Sequence, residues 1–235
     1  MKNLISFVML LTVSLNLYSQ PATIADEKYE KAELLFKKMD LDKAQQATIN
    51  AIISDPGYQK NHLLLYRITK ARGERAKSLL PLYYYLMLSQ NDLVSPECLK
   101  ELNNQLNYGI TLENEKKINV KMPNSTSDKT FGETEITLSF FAASKFMIEF
   151  RDKNDTEFMK LTNECYFKSI CDTKTEQSFW FDFYVKKFKD MFISENCEAF
   201  NYYILQSSGN DEIKNWIASN PQKMEKLQKW IDNQK

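Results

Sequence analysis

The run DLDKAQQATINAIISDPGY, residues 40–58, constrains its own conformation more tightly than any other part of the chain. Ala44, Ala47, Ala51 and Ile52 recur three or four residues apart. On a helix they share one low-profile face, against which a neighbouring helix can approach closely. Asp42 has the side chain of an N-cap, able to accept from a free backbone N–H at the helix start. Asp55-Pro56 ends the run, because Pro56 has no N–H and disfavours helical geometry at the residue before it. Upstream, from Ile24 to Met39, Tyr29, Ala32, Leu35 and Phe36 fall at helical intervals with charges between them. The spacing predicts two amphipathic helices joined by a turn at residues 40–42.

The rest of the chain continues in the same style. Five glycines and six prolines in 235 residues are too few for a turn-rich β architecture. With 43% hydrophobic and 13% aromatic residues, the chain can bury one sizeable core or two modest lobes. Further helices are predicted at 59–72, 76–89 and 96–107. Residues 109–132, GITLENEKKINVKMPNSTSDKTFG, are polar and read as a linker, with Ile118, Val120 and Met122 alternating briefly as in extended structure. A helix over 133–150 would carry Ile136, Phe140, Ala143, Met147 and Phe150, and a second runs over 156–171. The third, 176–193, contains FWFDFYVKKFKDMF, in which Phe181, Tyr184, Phe188 and Phe192 trace one face of a central core helix. Three shorter helical segments follow, the last with Trp216, Leu227 and Trp230. The expected fold class is all-α, divided into residues 20–108, a linker at 109–132, and a helical lobe at 133–235.

Ala32, Asp40, Asp42, Ala44, Ala51, Asp55 and Pro56 stand at the intervals of a known unit, and the stretch resembles the tetratricopeptide repeat, a 34-residue helix–turn–helix. The likeness covers about residues 24–107. It departs from the pattern at Leu35, where tyrosine is usual, at Met39, where glycine is common, and at Lys28, where an aromatic residue is common. Gly73 lies 34 positions after Met39 and marks a diverged second unit, with Ser78 and Tyr85 at the small-residue positions and Pro81 placed to kink its second helix. The resemblance implies binding of other proteins through a concave surface lined by the first helix of each unit. Exposed polar positions there would include Lys28, Lys31, Asn61 and Arg67. The C-terminal half either continues the stack or forms a separate bundle.

Destination is read at the N-terminus. Lys2 precedes the apolar residues 4–15, LISFVMLLTVSL, a length suited to a signal-peptide core and short for a membrane span. Cleavage is expected after Ser19, and the segment resembles signal peptides of Bacteroidetes-type bacteria. No cysteine lies near the junction to carry a lipid, so the product is expected in the periplasm or outside the cell, without a transmembrane span. Basic and acidic residues number 31 each, and 30 against 31 after cleavage, which leaves no field to attract nucleic acid. In an oxidising compartment Cys98, Cys165, Cys171 and Cys197 could pair in three ways or remain buried thiols. Cys165 and Cys171, six residues apart, cannot bridge along one regular helix.

Chemistry-bearing motifs are scarce. His62 is the single histidine. No glycine-rich phosphate loop, nucleophile elbow or HExxH motif occurs. Glu133 with Glu135, and Asp152 with Asp155, read as helix-end charges, and Asp40 with Asp42 supply too few ligands for calcium. No catalytic, cofactor or metal site is expected. The chain reads as an exported, non-enzymatic helical scaffold that binds an envelope protein or peptide. The alternative is a helical protein whose aromatic C-terminal lobe encloses an apolar small ligand.

Overall fold

Thr23 opens the first helix, α1 (Ile24–Lys37), with a capping box: its Oγ1 accepts from the Asp26 N–H at 3.2 Å, and Asp26 accepts in return from the Thr23 N–H at 3.1 Å. This computed structural model describes residues 23–89, 92–114, 117–174 and 176–234. The expected signal peptide and its cleavage point after Ser19 lie outside them. Among the described residues the fold is all-α apart from one hairpin.

α1 is followed by α2 (Leu41–Ser54), α3 (Gln59–Ala71) and α4 (Arg75–Leu88), packed as two successive antiparallel helix pairs. The two turns within the pairs close identically. Met39 adopts φ 60°, the Met39 N–H donates to the Phe36 carbonyl at 2.8 Å, and the Asp40 N–H reaches back to the Leu35 carbonyl at 3.1 Å. Thirty-four residues on, Gly73 adopts φ 75°, the Gly73 N–H donates to Lys70 at 2.9 Å, and the Glu74 N–H to Thr69 at 3.0 Å. Both are left-handed helix stops that satisfy otherwise orphaned carbonyls. The N-cap of α2 is Asp40 rather than Asp42: the left-handed stop at Met39 ends α1 early enough for Asp40 to take the capping place and accept from the Lys43 N–H at 3.4 Å. Pro81 does not break α4, which continues through it and forgoes one backbone hydrogen bond. Every residue from Ser78 to Met87 is buried, so α4 is a core helix on all sides.

α5 (Ser95–Leu106) completes the N-terminal stack. The segment expected as a linker contains a hairpin, β1 (Ile110–Asn114) with β2 (Lys117–Val120), in which Ile110 pairs with Val120 and Leu112 with Ile118. Gly109 at its root is obligatory: at φ 78° a Cβ there would lie 2.2 Å from the Lys121 carbonyl oxygen. α6 (Gly132–Ser144) is shorter than predicted and gives way to a turn of 3₁₀ helix at Ile148–Phe150. α7 (Asp155–Asp172) leads to a wide π-helical segment, Trp180–Val185, that runs directly into α8 (Lys186–Ile193). α9 (Cys197–Leu205), α10 (Asp211–Ser219) and α11 (Pro221–Asp232) end the fold. Between α8 and α9 the same stop recurs: Glu195 at φ 59°, its N–H on Phe192, and the Asn196 N–H on Met191 at 3.0 Å.

One hydrophobic core runs from Ile49 and Ile52 of α2 through Tyr83 and Tyr84 of α4 to Leu227 and Trp230 of α11. The two lobes expected from the sequence therefore share an interior. A second, smaller cluster joins Ala32, Ala44, Leu64 and Ile68, where the alanine face of α2 lets α1 and α3 approach. Phe181, Tyr184 and Phe188 are buried as expected and Phe192 partly so, with Trp180 and Val185 added by the wider turn. All four cysteines are free thiols.

Candidate functional site

Three helices of the N-terminal stack, α1, α3 and α5, leave a groove of about 490 Å³ between them. Leu63, Tyr66, Arg67, Lys70 and Ala71 share one face of α3 through their three- and four-residue spacing and form its floor. Phe36 of α1 stands on one side, and Val94, Glu97, Cys98 and Glu101 on the other. The lining is largely apolar, so its few charges decide what it can hold.

Two of those charges are already spent on each other. Glu101 accepts from the Tyr66 hydroxyl at 2.6 Å, from Gln105 at 2.9 Å and from the Lys70 ammonium. Burial alone would raise this carboxyl, but those three donors outweigh it and hold Glu101 at about 2. Arg67 is different. It is exposed on the groove floor, and among the described residues it has no hydrogen-bonded or ion-paired partner. Its charge is felt on α5 and α1: burial lifts the Cys98 thiol to about 11 with Arg67 opposing, and burial and Glu33 lift the Tyr29 phenol to about 12, again with Arg67 opposing. Glu97, exposed on the α5 side, likewise has no such partner among the described residues. The groove thus offers one unspent cation and one unspent anion beside an apolar floor.

Of the four residues singled out from the sequence, only Arg67 lines this groove. Lys28 is exposed, but its ammonium donates to Ser54 at the end of α2. Lys31 is exposed on α1, about 140° round the helix from Phe36. Asn61 corrects the expectation: it is fully buried, and neither its amide nitrogen nor its amide oxygen has a partner. The reason is helical phase. Asn61 precedes Leu64 and Leu65 by three and four residues and shares their core-facing side of α3. Sequence reading passed over Glu97, Phe36 and Leu63, because no motif distinguishes a groove-lining residue from any other on an amphipathic helix.

His62 and Glu135 are held inside the fold by hydrogen bonds between elements. His62 is fully buried; its Nδ1 accepts from the Tyr184 hydroxyl at 2.6 Å, and its Nε2–H donates to the Pro56 carbonyl at 2.9 Å. Burial pushes its pKa down to about 3, so the ring is neutral and locks the start of α3 onto the π-helical segment. Glu135, read from the sequence as a helix-end charge, is buried instead. Its carboxylate accepts from Arg75 Nε at 2.7 Å, from the Ala76 N–H at 2.6 Å and from the Ser125 hydroxyl at 2.6 Å. The Ala76 bond makes Glu135 a cap for α4 supplied by α6, placed at the positive end of the helix dipole. A polar pocket of about 400 Å³ between α6 and α7 is lined by Lys129, Cys165, Lys168 and Asp172. Burial raises the Cys165 thiol, the direction opposite to that of an activated nucleophile.

Among the described residues no group of three or more histidine, cysteine, aspartate or glutamate side chains is placed to hold a metal, and no helix is long and apolar enough to cross a membrane. No protein-family model, curated protein or solved structure matches this chain.

Proposed function

We propose that this chain is an exported, non-enzymatic helical scaffold of tetratricopeptide type, whose groove between α1, α3 and α5 holds a segment of another envelope protein. The observation that carries the reading is Arg67, an unpartnered guanidinium on an apolar floor, with the unpartnered Glu97 on the adjoining wall. A protein segment with an apolar side chain between an acidic and a basic residue matches that arrangement. The apolar run at residues 4–15 behind Lys2 supports export. The repeat resemblance is supported by the two turns at Met39 and Gly73, which close alike at the 34-residue offset.

The alternative of an apolar small ligand in the aromatic lobe gains no support from the packing. Rings of that lobe pack against one another: Phe167 lies 5.4 Å from Phe188, and Phe183 lies 4.8 Å from Tyr184, between centroids.

Crosslinking in intact cells followed by mass spectrometry tests the reading. One envelope protein should be captured reproducibly, with links mapping to Lys70 on the groove floor. A charge-assisted hydrogen bond contributes about 1.5–3 kcal/mol, so Arg67→Glu should reduce capture by roughly ten- to a hundredfold. Capture that Arg67→Glu leaves untouched, or links that map away from the groove, would overturn the proposal.

A further inference from the structure

The helix α6 and the turn after it expose five large apolar side chains within thirteen residues. Ile136 is 40% exposed, Phe140 63%, Phe146 38%, Met147 51% and Ile148 75%. Ile136 and Phe140 lie one helical turn apart on the same face. The chain then folds over, with the Met147 N–H donating to the Ser144 carbonyl at 2.8 Å, and Phe146 to Ile148 follow in its turn. The turn rests on a firm base: Phe141, Phe150 and Phe158 pack on one another at 5.7–5.9 Å, and Lys145 pairs with Asp155 at 2.6 Å. The apolar side chains are thus presented outward from a rigid platform.

We propose that this face is where two copies of the chain associate. The exposed apolar area is of the size a dimer contact needs. Taking about 150–200 Å² for a fully exposed side chain of this size, the exposed fractions amount to roughly 400–500 Å². A stable interface buries about 800 Å² per partner, some 56–65% of it apolar, which is nearly the same apolar area. Charge agrees: with Lys145 and Asp155 already paired to each other, Arg151 and Lys153 stand around the turn against Glu149 and Asp152, two of each sign. In a two-fold interface the same patch meets itself, so a rim of balanced sign can pair with its own copy. An anionic bilayer would call instead for an excess of basic residues. The groove of the N-terminal stack takes no part in this contact, so the inference stands apart from the proposed function.

Sedimentation velocity across the micromolar range on the protein purified from the producing cell tests it. The wild type should sediment as a dimer, and the double variant Phe140→Asp/Ile148→Asp as a monomer with unchanged helical circular dichroism. Both side chains are mostly in solvent, so the fold should tolerate the change; Met147→Lys provides a second variant with the same expected loss of dimer. A wild type that is monomeric throughout the range would overturn the inference, and so would a dimer that persists in the folded variants. Co-sedimentation of a monomeric wild type with vesicles of anionic phospholipid would assign the face to a lipid surface and refute the second copy.

Discussion

His62 is the only histidine in the chain, which makes its energetics separable. In the folded state burial depresses its pKa to about 3, whereas in the unfolded chain it returns to the ordinary value near 6.5. A depressed folded pKa means that the unfolded chain binds the proton first. Its stabilising contribution is complete above about pH 6.5 and declines as the pH falls toward 3. Between pH 6.5 and 5 unfolded carboxylates bind few protons, so His62 governs that window. The protein should be about 2 kcal/mol less stable at pH 5 than at pH 8, and His62→Gln should flatten that dependence. Urea melts at the two pH values measure the difference, and proton NMR checks the cause, because the single imidazole should show no titration near 6.5 in the folded protein. Asn61 and Met39 show the other side of residue-scale reading. Helical phase buries Asn61 without a partner, at a cost of about 1–3 kcal/mol for an unsatisfied amide. Met39 takes a left-handed conformation that costs an ordinary residue about 1–2 kcal/mol and that Gly73 adopts freely.

Among the elements, Arg75 and Glu135 join the N-terminal helices to the rest. Arg75 is 3% and Glu135 0% exposed, and around them Ala76, Ser125, Ser139 and the Tyr108 carbonyl complete the hydrogen bonding. Such a pair is costly to break from one side, since the surviving charge stays buried. Glu135→Leu should destabilise by about 3–5 kcal/mol, whereas Arg75→Met combined with Glu135→Leu should cost distinctly less. Chemical denaturation of the two single variants and the double variant checks the coupling; additive losses would mean that the pair does not act as a unit. This junction marks the limit of what sequence patterns carry. Helices and their order were legible because apolar spacing along a segment is local information. The Arg75–Glu135 pair spans 60 residues, and nothing local distinguishes Glu135 from its exposed neighbour Glu133. The π-helical turn at Trp180–Val185 was missed because an aromatic run has no distinct wide-turn signature; in the hairpin the extended stretch around Ile118 and Val120 was legible from its brief alternation, but its mostly exposed partner strand β1 was not. Of the residues around the groove, Arg67 could be named as an exposed polar position on the helix over 59–72, while Phe36 and Glu97 join it only through the packing of α1 and α5 on α3.

For the molecule as a whole, the core decides how these elements unfold. α4 contributes Tyr83 and Tyr84 to an interior shared with α7, α9 and α11: the Tyr83 hydroxyl donates to Asn163 at 2.6 Å, the Tyr166 hydroxyl to the Ala76 carbonyl at 2.8 Å, and the Tyr84 hydroxyl to the Gln234 carbonyl at 2.7 Å. If the N-terminal helices separated while the rest stayed folded, α4 would expose leucine and tyrosine side chains on the face it buries against the C-terminal half. Burial of one such side chain contributes about 1.5–3 kcal/mol, so the loss of several is comparable with the net 5–15 kcal/mol that holds a typical domain. The two halves should therefore unfold together. All three tryptophans, Trp180, Trp216 and Trp230, lie in the C-terminal half, while helical circular dichroism reports on both. Urea transitions followed by tryptophan fluorescence and by circular dichroism should coincide in midpoint and slope. A fluorescence transition displaced from the circular-dichroism transition would mean that the N-terminal stack opens on its own, and with it the groove around Arg67.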